Sequence, residues 1–494
     1  MTDQFQSQFR ASGVAQVMVM LKAGNSLATA AAGMPQDVEA QFTLTETSRN
    51  RRLKHAFGGG LAAGRAPRMV AKTGFLPAGA EPPKVLHFPR LGVALGTVQE
   101  AGLGRLQRHP MVAEVVAVPE IRLIKPIRRS PVPDELATST RAGASPKKAE
   151  LAWGLKALGV DKVWAQGFTG KGVRVGHLDT GVDGNHKAFA GKALAAFELF
   201  DAYGQRTEPR KAIDTDDHGT HTAATLVGRP VGARHFGVAP EAELYSAAVI
   251  EGGNALARVL GGMEWALEKK VRILSMSLGF HGWWDDFKGI ISTLDKQGVL
   301  CVFAIGNEGP GESRSPGNYP GALSVGAMDE KKRIAPFSSS QLFVDGRVAP
   351  LIVAPGVDIL SARPGHRLQV MDGTSMATPH VAGVAALLAH AAPTATNDEL
   401  CEAIIASCAP LSHGKGDRYV HGAPNAALAL KHLKITGTPS KSVFPVVGPP
   451  PGTARRRAQP AARRGPKKKG APPRPRPSRS KKIKKRKGKK GRHR

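Results

Sequence analysis

The chain has 494 residues and an apolar fraction of 41%, so it can form two or three domains, each with its own core. Its formal net charge is +31, but residues 441 to 494 hold 22 Lys and Arg and no Asp or Glu. Subtracting 22 from 31 leaves +9 for residues 1 to 440, which excludes a uniformly basic folded body. The three cysteines have no disulfide-framework spacing: Cys301, Cys401 and Cys408.

The N-terminal stretch MTDQFQSQFRASG lacks the charged start and apolar core of a Sec signal. No apolar run approaches the roughly 18 residues that span a bilayer, so we expect no transmembrane segment. A cytoplasmic chain is therefore the default expectation, with release or an extracellular location as the alternative.

Residues 1–125 alternate short apolar strands, at 15–24, 91–98 and 112–124, with helical patterns near 36–56 and 99–108. This alternation predicts a small α+β domain with an antiparallel sheet. Residues 126–149 are rich in Pro, Ser, Thr and basic residues, which predicts an exposed linker.

From 150 to 436 the pattern repeats strand, turn and helix, with strands at 173–179, 242–250, 272–279 and 300–307 and a helix at 255–270. Such alternation predicts an α/β domain with a mostly parallel sheet and helices on both faces. Ligands bind such sheets beyond the carboxyl ends of the strands. Asp179, Ser277 and Asn307 lie at predicted strand ends.

Three polar stretches carry the residue types of acyl transfer by a hydroxyl: HLDTGVDGNH with Asp179, DDHGTHTAATLVG with His218 and DGTSMATPHVAG with Ser375. Ser375 alone could be an ordinary helix cap. Pro379 is expected in the first turn of the following helix, where its missing N–H does little harm. The Asn307 amide and the Ser375 backbone N–H could then stabilise an oxyanion.

Four short motifs resemble those of the subtilisin-like serine peptidases and occur in the same order along the chain. They are Asp-Thr-Gly-Val-Asp, His-Gly-Thr-His, Gly-Asn-Glu-Gly and Gly-Thr-Ser-Met-Ala-Thr-Pro-His. The resemblance covers roughly 150–436. It implies a serine endopeptidase that cuts polypeptides after apolar residues through an acyl-enzyme. It also implies the roles of individual residues: Ser375 as nucleophile, His218 as general base and acid, Asp179 as orienting carboxylate and Asn307 as oxyanion donor.

The resemblance further implies that Ser277, Leu278 and Gly279 pair with the substrate backbone and that Gly306 walls the pocket for the residue before the cut. Phe280 and the following HGWW depart from the family pattern, and they either line the cleft or pack their loop. Residues 1–125 are similar to the family's propeptide, an intramolecular inhibitor and folding aid that is cut away. We expect that cut between 122 and 150.

Other polar residues are expected to be structural, namely His177, His186, His221 and the buried Cys301. No cofactor is predicted. Calcium remains an open alternative for this family, although the loop at 227–240 carries no acid or amide side chain to bind it.

Residues 437–494 are expected to be disordered, and 455–494 carry 21 basic residues without an aromatic. Such a tail either attracts nucleic acid or another anionic surface without sequence preference, or has no dedicated partner. A second hypothesis is therefore a polyanion-binding protein that uses the peptidase fold as a scaffold.

Overall fold

The structure is a computed structural model of the chain. It describes residues 3–22, 34–43, 84–118, 122–132, 149–191, 193–201, 204–207, 211–250, 255–412 and 416–435. The predicted tail at 437–494, most of the predicted linker (133–148) and the predicted helical stretch at 44–56 lie outside the described residues.

The described strands, in chain order, are β1 (Ala15–Leu21), β2 (Val85–Phe88), β3 (Val93–Val98), β4 (Val112–Ala117), β5 (Arg122–Leu123), β6 (Arg128–Pro131), β7 (Glu150–Leu151), β8 (Arg174–Asp179), β9 (Leu194–Phe200), β10 (Arg206–Thr207), β11 (Arg234–His235), β12 (Glu243–Ala248), β13 (Ile273–Met276), β14 (Leu278–His281), β15 (Leu300–Ala304), β16 (Arg314–Ser315), β17 (Leu323–Met328), β18 (Gln341–Leu342), β19 (Val348–Ala349), β20 (Ile352–Pro355), β21 (Ile359–Arg363) and β22 (Arg367–Asp372). The described α-helices are α1 (Asp3–Ser12), α2 (Gln36–Glu39), α3 (Glu100–Arg108), α4 (Trp153–Leu158), α5 (Asp161–Trp164), α6 (His218–Val227), α7 (Ala255–Glu268), α8 (Lys288–Lys296), α9 (Thr374–Ala391), α10 (Asn397–Ala406) and α11 (Ala426–Ile435).

The first four strands form an antiparallel sheet in the order β2, β3, β1, β4, which together with α1, α2 and α3 we call the N-terminal layer. Side chains alternate across β1 because successive residues of a strand point to opposite faces. Val17 and Val19 pack with Leu103 and Leu106 of α3 in a small core, whereas Met18 belongs to the core shared with the rest of the molecule. The strand predicted over 112–124 ends at Ala117.

The large sheet has eight strands in the order β10, β9, β12, β8, β13, β15, β17, β20. All neighbouring strands pair in parallel except β10 with β9. In β15, Val302 faces the core formed with α6 and α9, while Cys301 and Phe303 face the core formed with α7 and α8. The predicted mostly parallel α/β sheet with helices on both faces is confirmed.

The N-terminal layer packs on α7 and α8, where its apolar side chains join one continuous core with those helices. At the edge of this contact the Glu264 carboxylate of α7 accepts hydrogen bonds from the backbone N–H groups of Arg90 and Leu91, at 3.0 and 3.1 Å. The Arg90 guanidinium adds an ion pair at 3.0 Å. The contact is therefore both apolar and charge-assisted.

Residues 122–132, which we call the cleft segment, leave the N-terminal layer and run along two small sheets. Strand β5 pairs antiparallel with β14, and β6 pairs antiparallel with β22. The sequence predicted an exposed linker from residue 126 onward. The structure differs for Arg128–Pro131, because these residues form a paired strand.

No helix within the described ranges is long and apolar enough to cross a membrane.

Candidate active site

Asp179 and His218 form a buried pair at the carboxyl edge of the large sheet. Asp179 is the last residue of β8 and His218 is the first residue of α6. The Asp179 Oδ1 atom lies 2.7 Å from His218 Nδ1 and also accepts the Thr180 backbone N–H at 2.7 Å. This contact fixes the orientation of the imidazole and leaves its Nε2 atom on the other side of the ring.

The pair is electrostatically coupled. Burial alone would raise the pKa of the Asp179 carboxyl, but the charge and the hydrogen bond of His218 lower it below its usual value. Burial alone would lower the pKa of His218, but the charge of Asp179 and its hydrogen bond raise it above the usual value. Asp179 therefore stabilises the protonated imidazole.

Two polar side chains support this pair: Thr222, which the sequence reasoning did not assign, and His177. The Thr222 hydroxyl donates to Asp179 Oδ2 at 3.2 Å, and His177 contacts the same hydroxyl at 2.9 Å. Burial lowers the pKa of His177 to about 4, so this ring is neutral at physiological pH. His177 is thus structural, as expected, but it lies directly behind the Asp179 carboxylate.

Asp214 links the strand end to the helix start. Its carboxylate accepts hydrogen bonds from the Thr180 hydroxyl at 2.7 Å and from the Thr220 hydroxyl and backbone N–H at 2.6 Å each. Burial raises the pKa of Asp214 to about 7, although these donors favour the ionised form. No motif singled out this residue, since its partners are brought together only by the fold.

Ser375 is the second residue of α9, after the N-cap residue Gly373. Pro379 is the sixth residue of that helix, so the prediction that it falls in the first turn is wrong. A proline at this position cannot donate the usual hydrogen bond to the carbonyl four residues earlier, which is that of Ser375. The Ser277 hydroxyl donates to this carbonyl instead, at 3.3 Å, and so links α9 to the residue between β13 and β14.

Asn307 follows β15 and its side chain has a fixed orientation. The Oδ1 atom accepts hydrogen bonds from the backbone N–H and the hydroxyl of Thr374, both at 2.9 Å. The Nδ2 group donates to the carbonyl of Lys125 in the cleft segment, at 2.9 Å. Gly306 has a φ of 122°, and a Cβ atom there would lie 2.4 Å from a Glu308 carboxylate oxygen, so the turn requires glycine.

The cleft segment occupies this site. Leu123 and Arg122 pair with Leu278 and Gly279, and the Ile124 N–H donates to the Ser277 carbonyl at 3.1 Å.

The carbonyls of Ile124 and Lys125 contact the predicted nucleophile and the predicted oxyanion donor. The Ser375 hydroxyl donates to the Ile124 carbonyl at 2.8 Å, and Asn307 Nδ2 donates to the Lys125 carbonyl at 2.9 Å. The buried Nε2 atom of His218 has no hydrogen-bond partner among the described residues.

The other predicted residues have structural surroundings. Phe280 is 1% exposed and packs against Trp284 and Phe287, which for this residue favours loop packing over the alternative of lining the cleft. His221 and His186 each contact a backbone carbonyl, at 3.0 Å. The cysteines are free, and Cys401 and Cys408 do not share a helix because α10 ends at Ala406.

No group of three or more His, Cys, Asp or Glu side chains is placed to hold a metal ion within the described part of the chain. The interpretation of the loop at 227–240 as unsuited to calcium stays a prediction.

A buried carboxylate–imidazole pair, a serine hydroxyl at the start of a neighbouring helix and an oriented amide, all beside a β-edge, define the site of a serine hydrolase.

Residues 170–429 match the family model described as the subtilase family. The chain is 31% identical to subtilisin E of Bacillus subtilis over 340 residues, which cover 67% of this chain and 80% of that protein. It is 34% identical to the major intracellular serine protease of the same species over 48% of this chain and 75% of the relative. Subtilisin Savinase of Lederbergia lenta is 33% identical over 57% of this chain and 99% of the relative. The chain belongs to the subtilase family and is a serine-type endopeptidase.

Proposed function

We propose that the chain is made as an autoinhibited precursor that cuts polypeptides with Ser375 as the nucleophile. His218 takes the Ser375 proton through its Nε2 atom and later passes it to the leaving amine, while Asp179 stabilises the protonated ring. Asn307 and the Ser375 backbone N–H bind the oxyanion of the tetrahedral intermediate. The raised pKa of His218 supports this role, because a stronger base accepts the proton more readily.

One observation carries this proposal: the Ser375 hydroxyl lies 2.8 Å from the carbonyl oxygen of Ile124, the residue directly after β5, which pairs with β14. A substrate that pairs with Ser277, Leu278 and Gly279 in the same way would present its own carbonyl to the nucleophile. Ile124 is 1% exposed, which supports cleavage after apolar residues.

The same contacts support inhibition by the cleft segment. The Ser375 hydroxyl is engaged by the Ile124 carbonyl and not by the His218 base, while the Asn307 amide is engaged by the next carbonyl along the chain. The nucleophile and the oxyanion donor therefore contact the carbonyl groups of two successive residues and not one shared carbonyl group. Residues 1–125 would act as the inhibitory domain for the peptidase domain at 150–436, since they hold the cleft segment from one side.

Casein hydrolysis and N-terminal mass spectrometry test the proposal. Wild type should form new N-termini and hydrolyse casein after a lag, whereas Ser375→Ala should form no new N-terminus and its casein turnover should be about 10⁶-fold lower, as for subtilisin. Ser324→Ala is the matched control, because Ser324 is a buried serine on β17 whose hydroxyl has no hydrogen-bond partner in the part of the chain that the structure describes. Hydrolysis by Ser375→Ala would refute the assigned nucleophile, and full activity of the uncut chain without a lag would refute the inhibition.

A second candidate function rests on the sequence of residues 455–494, with 21 basic residues. We propose that this tail binds polyanions electrostatically and concentrates the enzyme on anionic surfaces. Gel shifts of Ser375→Ala with DNA should weaken steeply with salt and disappear when the chain is truncated after residue 440. Binding that survives the truncation would contradict this proposal. The cellular compartment stays a prediction.

A further inference from the structure

Beyond the nucleophile, two consecutive arginines of the cleft segment meet four carboxylates of the peptidase domain. We call these carboxylates the acidic rim: Asp216, Asp217, Asp358 and Asp372. Arg128 contacts Asp358 and Asp372, while Arg129 contacts Asp216 and Asp217.

Arg128 makes a two-atom contact with Asp372, from Nε at 3.0 Å and from Nη2 at 3.2 Å. This fork geometry matches guanidinium to carboxylate more specifically than an ammonium group could. Asp372 also accepts the Asp358 backbone N–H at 2.7 Å, which holds the two acids of this pair next to each other.

Arg129 bridges Asp216 and Asp217 through one nitrogen, Nη1. These two acids immediately precede His218, so this half of the rim is attached directly to the catalytic helix. The peptidase domain itself supplies one further ion pair to the rim among the described residues, from Arg363 Nε to Asp217 at 3.7 Å. The four acids are therefore mainly neutralised by the cleft segment.

Backbone pairing fixes the positions of both arginines. The Ile127 N–H donates to the Asp372 carbonyl at 2.8 Å, and the register places Arg128 opposite Asp372 and Arg129 opposite Met371. The carbonyl of Ile124 accepts the hydrogen bond of the Ser375 hydroxyl. Arg128 and Arg129 are the fourth and fifth residues after Ile124. A substrate that follows the same path places its own fourth and fifth residues at the rim.

We infer that the acidic rim selects polypeptide substrates with two basic residues at the fourth and fifth positions after the cleaved bond. This inference rests on the proposed function, because it takes the cleft segment as a guide to the substrate path. Backbone pairing with β22 does not depend on the side chains of the substrate. The acidic rim therefore supplies a discrimination between substrate sequences that β22 alone cannot supply.

The test uses quenched fluorescent peptides with the sequence of residues 119–132, all carrying Pro126→Ala. Positions 128 and 129 are Arg-Arg, Ala-Ala or Glu-Glu, and a fourth peptide has Ala-Ala there with the arginine pair moved to positions 131 and 132. Mass spectrometry locates the cut in each peptide. Casein hydrolysis by the same enzyme preparation reports the proposed function separately.

With processed wild-type enzyme, kcat/KM for the Arg-Arg peptide should exceed that for Ala-Ala about 3- to 30-fold at low salt, as expected for two partly exposed ion pairs. The Glu-Glu peptide should be poorer than Ala-Ala, and the displaced arginine pair should give less than half of the gain. The preference should shrink at 0.5 M salt, where the Debye length falls to about 4 Å.

Asp358→Asn should lower the ratio of Arg-Arg to Ala-Ala about 2- to 5-fold, and asparagine tolerates the positive φ of 55° at this position. Asp345→Asn is the control, because Asp345 pairs with Arg347 and not with the cleft segment. If the enzyme hydrolyses casein but cleaves all four peptides at equal rates, the inference about the acidic rim is wrong and the proposed function is unaffected. Loss of both casein and peptide hydrolysis would overturn the proposed function and this inference with it.

Discussion

Replacing Glu264 with alanine should loosen the N-terminal layer. The Glu264 side chain is 12% exposed and accepts two backbone N–H groups as well as the Arg90 guanidinium. A hydrogen bond to a charged group contributes about 1.5–3 kcal/mol. The two backbone bonds would give about 3–6 kcal/mol, which water at this partly exposed edge reduces to about 2–4 kcal/mol. Since every 1.4 kcal/mol corresponds to a factor of ten, the layer should open about 30- to 700-fold more often.

Amide hydrogen exchange of β2 and β3 measures this opening, in the Ser375→Ala background so that no processing interferes. The control is Glu268→Ala, because Glu268 lies on the same helix but pairs with Arg206 and Lys269 instead of the layer. Exchange in β2 and β3 that is equal in the two variants would refute the reasoning that Glu264 holds the layer. In the active background, the Glu264 variant should also shorten the lag before casein hydrolysis.

Three further predictions concern the catalytic groups. Asn307→Ala should lower kcat about 10²- to 10³-fold, the loss found when the oxyanion amide of subtilisin is removed, with little change in KM; an unchanged kcat would mean that another group binds the oxyanion. Because Asp179 outweighs burial and raises the pKa of His218 above 6.5, the general base is lost as pH falls through that raised value. The acid limb of the kcat/KM profile should therefore lie above pH 6.5, and a limb below pH 6 would contradict this sign. Ser277→Ala should lower the free energy of unfolding by about 1–2 kcal/mol, measured by urea denaturation of the Ser375→Ala protein, because it leaves the buried Ser375 carbonyl without its donor. An unchanged stability would show that this contact does not compensate for Pro379.

Residues with a local motif could be located from the sequence. Asp179, His218, Asn307 and Ser375 each lie in a polar stretch that follows or precedes an apolar run, and the parallel sheet brings such strand ends to one edge. The strand β8 ends at Asp179, as predicted, and begins one residue after the predicted position.

Contacts between distant segments could not be predicted in this way. Arg128 looks like any basic linker residue until β6 pairs with β22, and Asp358 lies 230 residues further along the chain. The Ser277 hydroxyl likewise gains its role only because Pro379 frees a carbonyl next to it. Sequence patterns report the burial of one element at a time, whereas these interactions depend on how elements meet.

The path of the cleft segment predicts that activation needs a second cut. Cleavage after Ile124 would leave residues 125–132 attached to the peptidase domain, paired with β22 and bound to the acidic rim. A tethered strand has an effective concentration near the millimolar range, so it would outcompete substrate at micromolar concentration. The first cut should therefore yield a species that begins at Lys125 and hydrolyses casein poorly. Full activity should appear only when the N-terminus lies within 133–149, between the end of β6 and the start of β7. A time course of intact mass and casein hydrolysis follows both species, and full activity from the species that begins at Lys125 would refute the second cut.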